Sequence, residues 1–308
     1  MQLNADQVFD PVIGAVETLE PGLRRILAPN PSPMTFRGTN TYLLGTCDIA
    51  VIDPGPDSPA HLEVILGAIG PDQRISHIFV THSHLDHSPL ARPLAEVTGA
   101  PVLAFGPSSA GRSTVMKALS KQGLMGGGEG VDDRFAPDIA LEDGAKIQTD
   151  KWALEVIHTP GHMGNHIALG WGDACFTADH VMGWATSIVS PPDGALTDFM
   201  ASSERLLRTE WRVFYPGHGA PITAPADRLG WLIAHRRSRE RAILSALDGQ
   251  DLTARALAHL IYQDTPQALL PAATRNVLAH LVDLYGRGWV ETTEQLSATA
   301  TFRLQQYT

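Results

Sequence analysis

The sequence predicts an α/β protein. A mixed sheet covered by helices occupies residues 1–224, and a helical unit closed by a small β-hairpin occupies 225–308. Two observations predict it. Up to about residue 224, short apolar runs of strand length alternate with helix-like segments, the rhythm of a sheet with helices packed on it. From about Pro225 onward a helical period takes over.

In chain order, "TYLLG" and "IAVIDPG" read as paired strands joined by a turn. "SPAHLEVILGAIG" reads as a helix with Ser58 as N-cap and Gly70 at its end. "HIFVT" is a near-continuous apolar run and so a buried strand. A second helix is expected from about Pro89 to Val97, and "PVLAF" returns as a strand. Residues 106–138 break the rhythm, because "GLMGGGEGVDDRFAPD" is rich in Gly and acidic residues; a mobile loop, and in an enzyme a lid, is the expectation. Strand-like runs resume with "WALEVIHTPGH", "HIALGW" and "ACFTAD", then a helix over about 197–209 and the run "RVFYPGHG". The tail offers three helices, "RLGWLIAHRRSRERAILSAL", "TARALAHLIY" and "AATRNVLAHLVDLYGRG", before a hairpin in "WVETTE…ATFRL". Three helices and a β wing outline a winged helix-turn-helix.

Composition narrows the function. With 44% hydrophobic and 18% charged residues the chain suits a soluble globular protein with a sizeable core. A net charge of −10 argues against non-specific coating of nucleic acid. Residues 236–308 hold eight Arg and no Lys against seven acidic residues, so the tail is near neutral rather than basic. "MQLNADQVFDPVIG" shows neither the basic start nor the apolar run of a signal peptide, and no stretch approaches the roughly 18 apolar residues of a membrane span. A cytoplasmic protein without a membrane partner is expected. Cys47 and Cys175 sit in β-like runs and read as small buried residues.

Chemistry concentrates in "THSHLDH", which places His82, His84, Asp86 and His87 within six positions after an apolar run. A strand running into a loop throws alternate side chains one way, so His82 and His84 can converge on one point. Asp86 and His87 follow and can face a neighbouring point. Neutral imidazole suits Zn, Fe or Ni, and carboxylate compensates charge. More donors lie after later apolar runs: His158 and His162 in "HTPGH", Asp179 and His180 after "FTA", His218 in "YPGHG". Glycines beside His162 and His218 permit close backbone approach or positive φ.

This series, HxHxDH followed by a Gly-His loop, a strand-end Asp and another Gly-His, resembles the metallo-β-lactamase superfamily over roughly residues 20–220. "NPSPMTFRGTNTYLLG", "HTPGH", "ADHVMGW" and "YPGHG" look like the beta-lactamase-like-protein-2 branch, with glyoxalase II more distant. The resemblance implies an αββα four-layer sandwich with a C-terminal winged-helix-like domain. It implies two divalent metal ions, zinc first with Mn or Fe as alternatives. His82, His84 and His162 would hold one ion, Asp86, His87 and His218 the other, and Asp179 would bridge them. Ala178 stands where many relatives have Gly, a departure expected to matter little.

Two such ions can share a hydroxide at neutral pH that attacks an ester, thioester or phosphodiester. Asp86 is expected to orient that hydroxide as well as bind metal; the proton donor to the leaving group is unassigned. His158 is expected to support rather than ligate, His166 to line the pocket or orient a ligand, and His180 to be structural or a proton donor. Asn40 and Tyr42 are candidates to face the cleft. His61, His77, His235, His259 and His280 read as structural. The expected partner is a small ester or thioester, or a short RNA if the enzyme is a single-stranded-RNA endoribonuclease; a homodimer is possible. A winged-helix DNA-binding regulator is the alternative from another class, and "RRSRER" (Arg236, Arg237, Arg239, Arg241) is either a phosphate contact or a solvated helix face.

Overall fold

The computed structural model describes residues 9–124 and 130–305. Two sheets face each other. The first runs β1 (Val16–Glu20), β2 (Leu23–Leu27), β3 (Asn40–Leu44), β4 (Asp48–Ile52), β5 (Arg74–Phe79), β6 (Val102–Ala104) and β7 (Ile139–Ala140), in that order across the sheet. Its first four strands pair antiparallel and its last four parallel. The parallel part needs crossovers, which α1 (Pro59–Gly67) and α2 (Ala91–Thr98) supply. The second sheet runs β12 (Val213–Pro216), β11 (Ala174–Ala178), β10 (Ile167–Trp171), β9 (Ala153–His158) and β8 (Lys146–Gln148), with α4 (Leu196–Leu207) between β11 and its parallel neighbour β12.

Period-two alternation explains the layers. On one face of the first sheet Tyr42, Leu44, Ala50, Ile52 and Phe79 join Leu154, Val156, Leu169, Phe176 and Tyr215 of the second in a single buried cluster. The intervening residues Leu43, Ile49, Val51 and Ile78 turn outward and pack with Ile65 and Leu94 of α1 and α2. On the outer face of the second sheet, Ile157, Cys175 and Phe214 meet Leu206 of α4 and Leu229 and Leu232 of α5 (Pro225–Ala246). The result is the αββα sandwich. Phe79 and Phe176 are fully buried between the sheets, each contributing about 2–3 kcal/mol of burial.

Behind it, α5, α6 (Ala254–Ile261) and α7 (Leu270–Gly286) surround a second core with β13 (Leu252–Thr253), β14 (Val290–Glu291) and β15 (Thr301–Leu304). The three short strands form a sheet in the order β13-β15-β14, which is the expected wing. Thr253 caps α6 through a hydrogen bond from Ala256 N. No helix among the described residues is long and apolar enough to cross a membrane.

Several local expectations hold and others need correction. Ser58 caps α1, accepting from His61 N, but the helix ends at Gly67 rather than Gly70. The 106–138 stretch contains α3 (Thr114–Lys121), and Val131 bridges to His84. The lid expectation falls partly on residues 125–129, outside the described residues. Cys175 is buried, whereas Cys47 is exposed, because it lies in the tight turn between β3 and β4 rather than in a strand.

Candidate metal centre

All the strands that supply donors end at the same rim. The segment after β5 carries His82, His84, Asp86 and His87; the loop after β9 carries His162; Asp179 follows β11 and His218 follows β12. The structure brings all seven together. His82, His84, His162 and Asp179 form one group, and Asp86, His87, Asp179 and His218 a second; within each group the donor atoms lie within 4.8 Å of one another. Every one of these residues is buried.

Backbone shape makes the convergence possible. Gly217 adds no side chain where a Cβ would stand 2.4 Å from Asp179 Oδ1 and 2.8 Å from His87 Cε1. Gly161, at φ +142°, passes the backbone of Phe199, where a Cβ would lie 2.3 Å from its Cα. Ala178, just before Asp179, has φ +41°. This left-handed conformation costs a residue with a Cβ about 1–2 kcal/mol, so the departure from Gly is a strained position rather than a silent one. Asp53 at the end of β4 is likewise left-handed, with φ +51°.

Hydrogen bonds behind the rings orient them. His162 Nδ1 lies 2.7 Å from the Ile188 carbonyl, and His218 Nδ1 lies 3.1 Å from the Gly38 carbonyl. A carbonyl only accepts, so both rings carry a proton on Nδ1 and turn Nε2 inward. His87 Nδ1 meets the Asp53 carboxylate at 2.9 Å with the same result. Thr81 Oγ1 donates to Asp53 at 2.8 Å and so receives the proton of His82 Nδ1 at 3.0 Å. The inward atoms then crowd: His84 Nδ1 lies 3.0 Å from both His82 Nε2 and His162 Nε2.

Asp179 faces both groups. Its Oδ2 lies 3.6 Å from His162 Nε2 and 4.0 Å from His82 Nε2, while its Oδ1 lies 3.4 Å from both His87 Nε2 and His218 Nε2. Asp86 Oδ2 is 3.2 Å from His87 Nε2 and 3.1 Å from His218 Nε2. Burial pushes His84 down to about 3 and holds His82 and His162 below the ordinary imidazole value, so these rings are neutral donors. Burial acts the same way on His218 and His87, but the carboxylates of Asp179 and Asp86 outweigh it, raising His218 to about 10 and His87 well above its usual range. Burial works against ionising Asp86 and Asp179 too, yet the facing imidazoles hold both carboxyls below the normal carboxylate range. The two buried carboxylates draw positive charge to this point, a charge that protons on His87 and His218 or bound cations can supply. His87 Nε2 and Asp179 Oδ1 are moreover buried without a hydrogen-bond partner. This donor set fits two divalent cations.

The remaining candidates separate cleanly. His158 stacks on Phe105 at 3.7 Å and binds the Gly164 carbonyl, away from the donors. His166 lies behind His82, ring to ring at 5.1 Å, tethered to Thr159 Oγ1. His180 is fixed by Ser203 Oγ at 3.0 Å and packs on Phe199. Asn40 and Tyr42 do not face the cleft: both donate to the Pro216 carbonyl, at 3.0 and 2.7 Å, and so hold the loop that carries His218. Sequence reasoning missed Asp53 and Thr81, which orient His87 and His82. The available signal was an Asp ending an apolar run in "IAVIDPG", the same pattern that revealed Asp179.

The family model described as Metallo-beta-lactamase superfamily matches residues 34–218. The chain belongs to the metallo-β-lactamase superfamily. Within this superfamily the tail is also a known part, since residues 253–298 match the Beta-lactamase associated winged helix domain. The metallo-β-lactamase chain is 32% identical over 292 residues to "Beta-lactamase-like protein 2 homolog" of Drosophila melanogaster, covering 90% of this chain and 92% of that one. It is 28% identical to "Atrochrysone carboxyl ACP thioesterase" of Aspergillus fumigatus, covering 89% and 80%. A metallo-beta-lactamase family protein from Thermus thermophilus superposes with a TM-score of 0.74 at 25% identity, over 93% of this chain and all of that one. The metallo-β-lactamase chain is a metal-dependent hydrolase by this membership.

Proposed function

We propose that the protein is a dinuclear zinc hydrolase acting on a small thioester or ester. The observation that carries this is Asp179, whose two oxygens face two separate groups of donors. His82 Nε2, His84 Nδ1 and His162 Nε2 would hold one ion with Asp179 Oδ2. Asp86, His87 and His218 would hold the other with Asp179 Oδ1. Imidazole-rich donors with carboxylate suit zinc ahead of manganese or iron. When bound, two divalent cations supply Lewis acidity, acidifying water and polarising a carbonyl.

The chain's own residues do the positioning. Asp86, with Thr39 Oγ1 at 3.4 Å, holds and orients the attacking water. Asp53, Thr81 and the carbonyls of Ile188 and Gly38 hold a proton on the rear nitrogens and so aim the front nitrogens at the ion sites. Water then adds to the acyl carbon, the carbon–sulfur or carbon–oxygen bond breaks, and the proton shed by water ends on the leaving group.

The names of relatives support an acyl substrate over RNA, since three of them are named as thioesterases. The arginine run adds little to a phosphate track: Arg236 is buried, Arg237 pairs with Glu204 at 2.9 Å and Arg239 stacks on Tyr262. The same spending of charge counts against a DNA-binding regulator. The free Cys47 and Cys175 suit a reducing, cytoplasmic setting. The division between units at 224/225 belongs to the same reading, supported by the start of α5 at Pro225, although Leu229 and Leu232 still pack on the second sheet.

Zinc-loaded protein assayed against thioesters, lactones, phosphodiesters and short single-stranded RNA decides the substrate. Thioester or ester turnover that disappears in His84→Ala, with two zinc ions per chain by elemental analysis, is the expected result. RNA cleavage without acyl turnover, or one iron per chain, overturns it.

A further inference from the structure

Residues 187–190, buried except for the half-buried Ile188, form a strap between the metal-ligand candidates and the C-terminal helices. Toward the centre, the Ile188 carbonyl accepts from His162 Nδ1 at 2.7 Å, and Ser187 Oγ contacts the backbone carbonyls of Asp179 and His180. Away from it, Arg236 of α5 donates to the Ser187 carbonyl, and Asn276 Oδ1 of α7 accepts from Val189 N at 3.1 Å. Arg275 Nη1 adds a bond to Ser190 Oγ at 3.2 Å. Arg236 and Asn276 are themselves joined, Nη1 to Oδ1 at 2.9 Å.

Arg236 is an unusual residue to find here. It is 2% exposed, and its hydrogen-bond partners are a carbonyl and an amide oxygen rather than a carboxylate. Its guanidinium also lies 5.1 Å from the Phe199 ring centre. Burying a charge without a counter-ion is costly, and a neutral residue would pack against Phe199 at less expense. Such a cost is accepted when the fork geometry fixes something in place. What it fixes is a strap whose next carbonyl sets which nitrogen of His162 carries the proton.

We propose that Arg236 and Asn276 are positioning residues for the metal centre: through the strap 187–190 the winged-helix unit sets the orientation of His162 and the backbone at Asp179. The tail is then part of the metal site's outer support as well as an attached module. His162 belongs to the first donor group and Asp179 to both, so a loosened strap weakens the first ion most and the second to a lesser degree. This rests on the ligand assignment proposed above.

The test is chelator-competition titration of zinc, and of cobalt followed by its visible absorption, on the full-length protein. The variants are Asn276→Leu, Arg236→Met, Arg236→Lys and Val282→Ala. Val282 is buried in the second core of the tail, so it controls for general destabilisation. Loss of an outer partner of a metal-ligating His lowers affinity about 10–100-fold. Asn276→Leu and Arg236→Met are expected to lower the affinity of the tighter-coupled ion by at least about tenfold and to change the cobalt spectrum. Arg236→Lys should recover part of the loss, and Val282→Ala should lower the melting temperature while leaving metal affinity alone. Wild-type affinity in a folded Asn276→Leu overturns the proposal, as does an equal loss in Val282→Ala. If Arg236→Met does not fold, Asn276→Leu and Arg236→Lys decide. Wild-type protein that takes up no metal refutes the ligand assignment itself, a separate result from unchanged variants on a wild type that binds two ions.

Discussion

Asp53→Asn tests the logic of the centre most directly. Asp53 is 2% exposed and accepts three hydrogen bonds: from Thr81 N at 2.8 Å on Oδ1, and from Thr81 Oγ1 at 2.8 Å and His87 Nδ1 at 2.9 Å on Oδ2. An amide in this place has one acceptor and one donor end. Set with its oxygen toward Thr81 N, it aims NH2 at two groups that themselves donate; turned around, it opposes the Thr81 amide. The least costly escape is for His87 to move its proton to Nε2, which points that N–H at Asp86 and Asp179 and removes the lone pair from the second donor group. The lost charge-assisted bond is worth about 1.5–3 kcal/mol, and a disturbed outer partner lowers metal affinity about 10–100-fold, or about 1.4–2.8 kcal/mol at 1.4 kcal/mol per decade. Chelator-competition titration with zinc reads it: the second ion weakens first while the first is affected less, through the Thr81–His82 bond. Two ions retained at wild-type affinity would refute the claim that Asp53 sets the His87 tautomer.

Other perturbations follow from the same geometry. Asp179→Asn should weaken both ions together in that titration, and loss of a single ion would count against a shared ligand. Gly217→Ala should deplete the protein of metal by elemental analysis while its far-ultraviolet circular dichroism stays near wild type, because the new Cβ falls 2.4 Å from Asp179 Oδ1; full metal content would show the loop yields easily. Burial lowers His61 to about 4 and His180 and His280 to about 3. Unfolded, each titrates near its usual value of about 6.5, so the folded protein binds fewer protons in between. Stability is therefore whole above about pH 6.5 and declines as pH falls toward about 3–4. The melting temperature measured from neutral to acid pH should drop steadily, His280→Leu should flatten the slope, and a variant with an unchanged slope would remove His280 from the account.

The sandwich was legible because short apolar runs of strand length, as in "TYLLG" and "IAVID", alternate with helix-like segments up to about residue 224. The seven candidate ligands were legible because each lies just past such a run, where a strand end at the rim brings it to the others. What was not legible is whatever depends on contacts between distant segments. Nothing local in "IAVIDPG" says that Asp53 meets His87, 34 positions away. Tyr42 looks like a cleft residue until its hydroxyl is seen to reach the Pro216 carbonyl. Cys47 resembles its strand neighbours in composition, and only the position of the turn exposes it. Ala178 shows the limit from the other side: its residue type is read at once, its left-handed backbone only in three dimensions. Arg236 sits in a run that reads as either a phosphate contact or a solvated helix face, and the packing of α5 against the strap turns it inward instead.

The donors are drawn from strand ends of both sheets, layers whose facing surfaces adhere largely through apolar side chains. An ion gripped there acts as a rivet joining stretches of chain more than a hundred residues apart. A ligand that grips only the native form, at a hundred times its dissociation constant, adds about 2.7 kcal/mol against unfolding. The supply of such an ion would thus govern how long each molecule survives proteolysis, and starvation for it should thin the protein's abundance before any change in its synthesis.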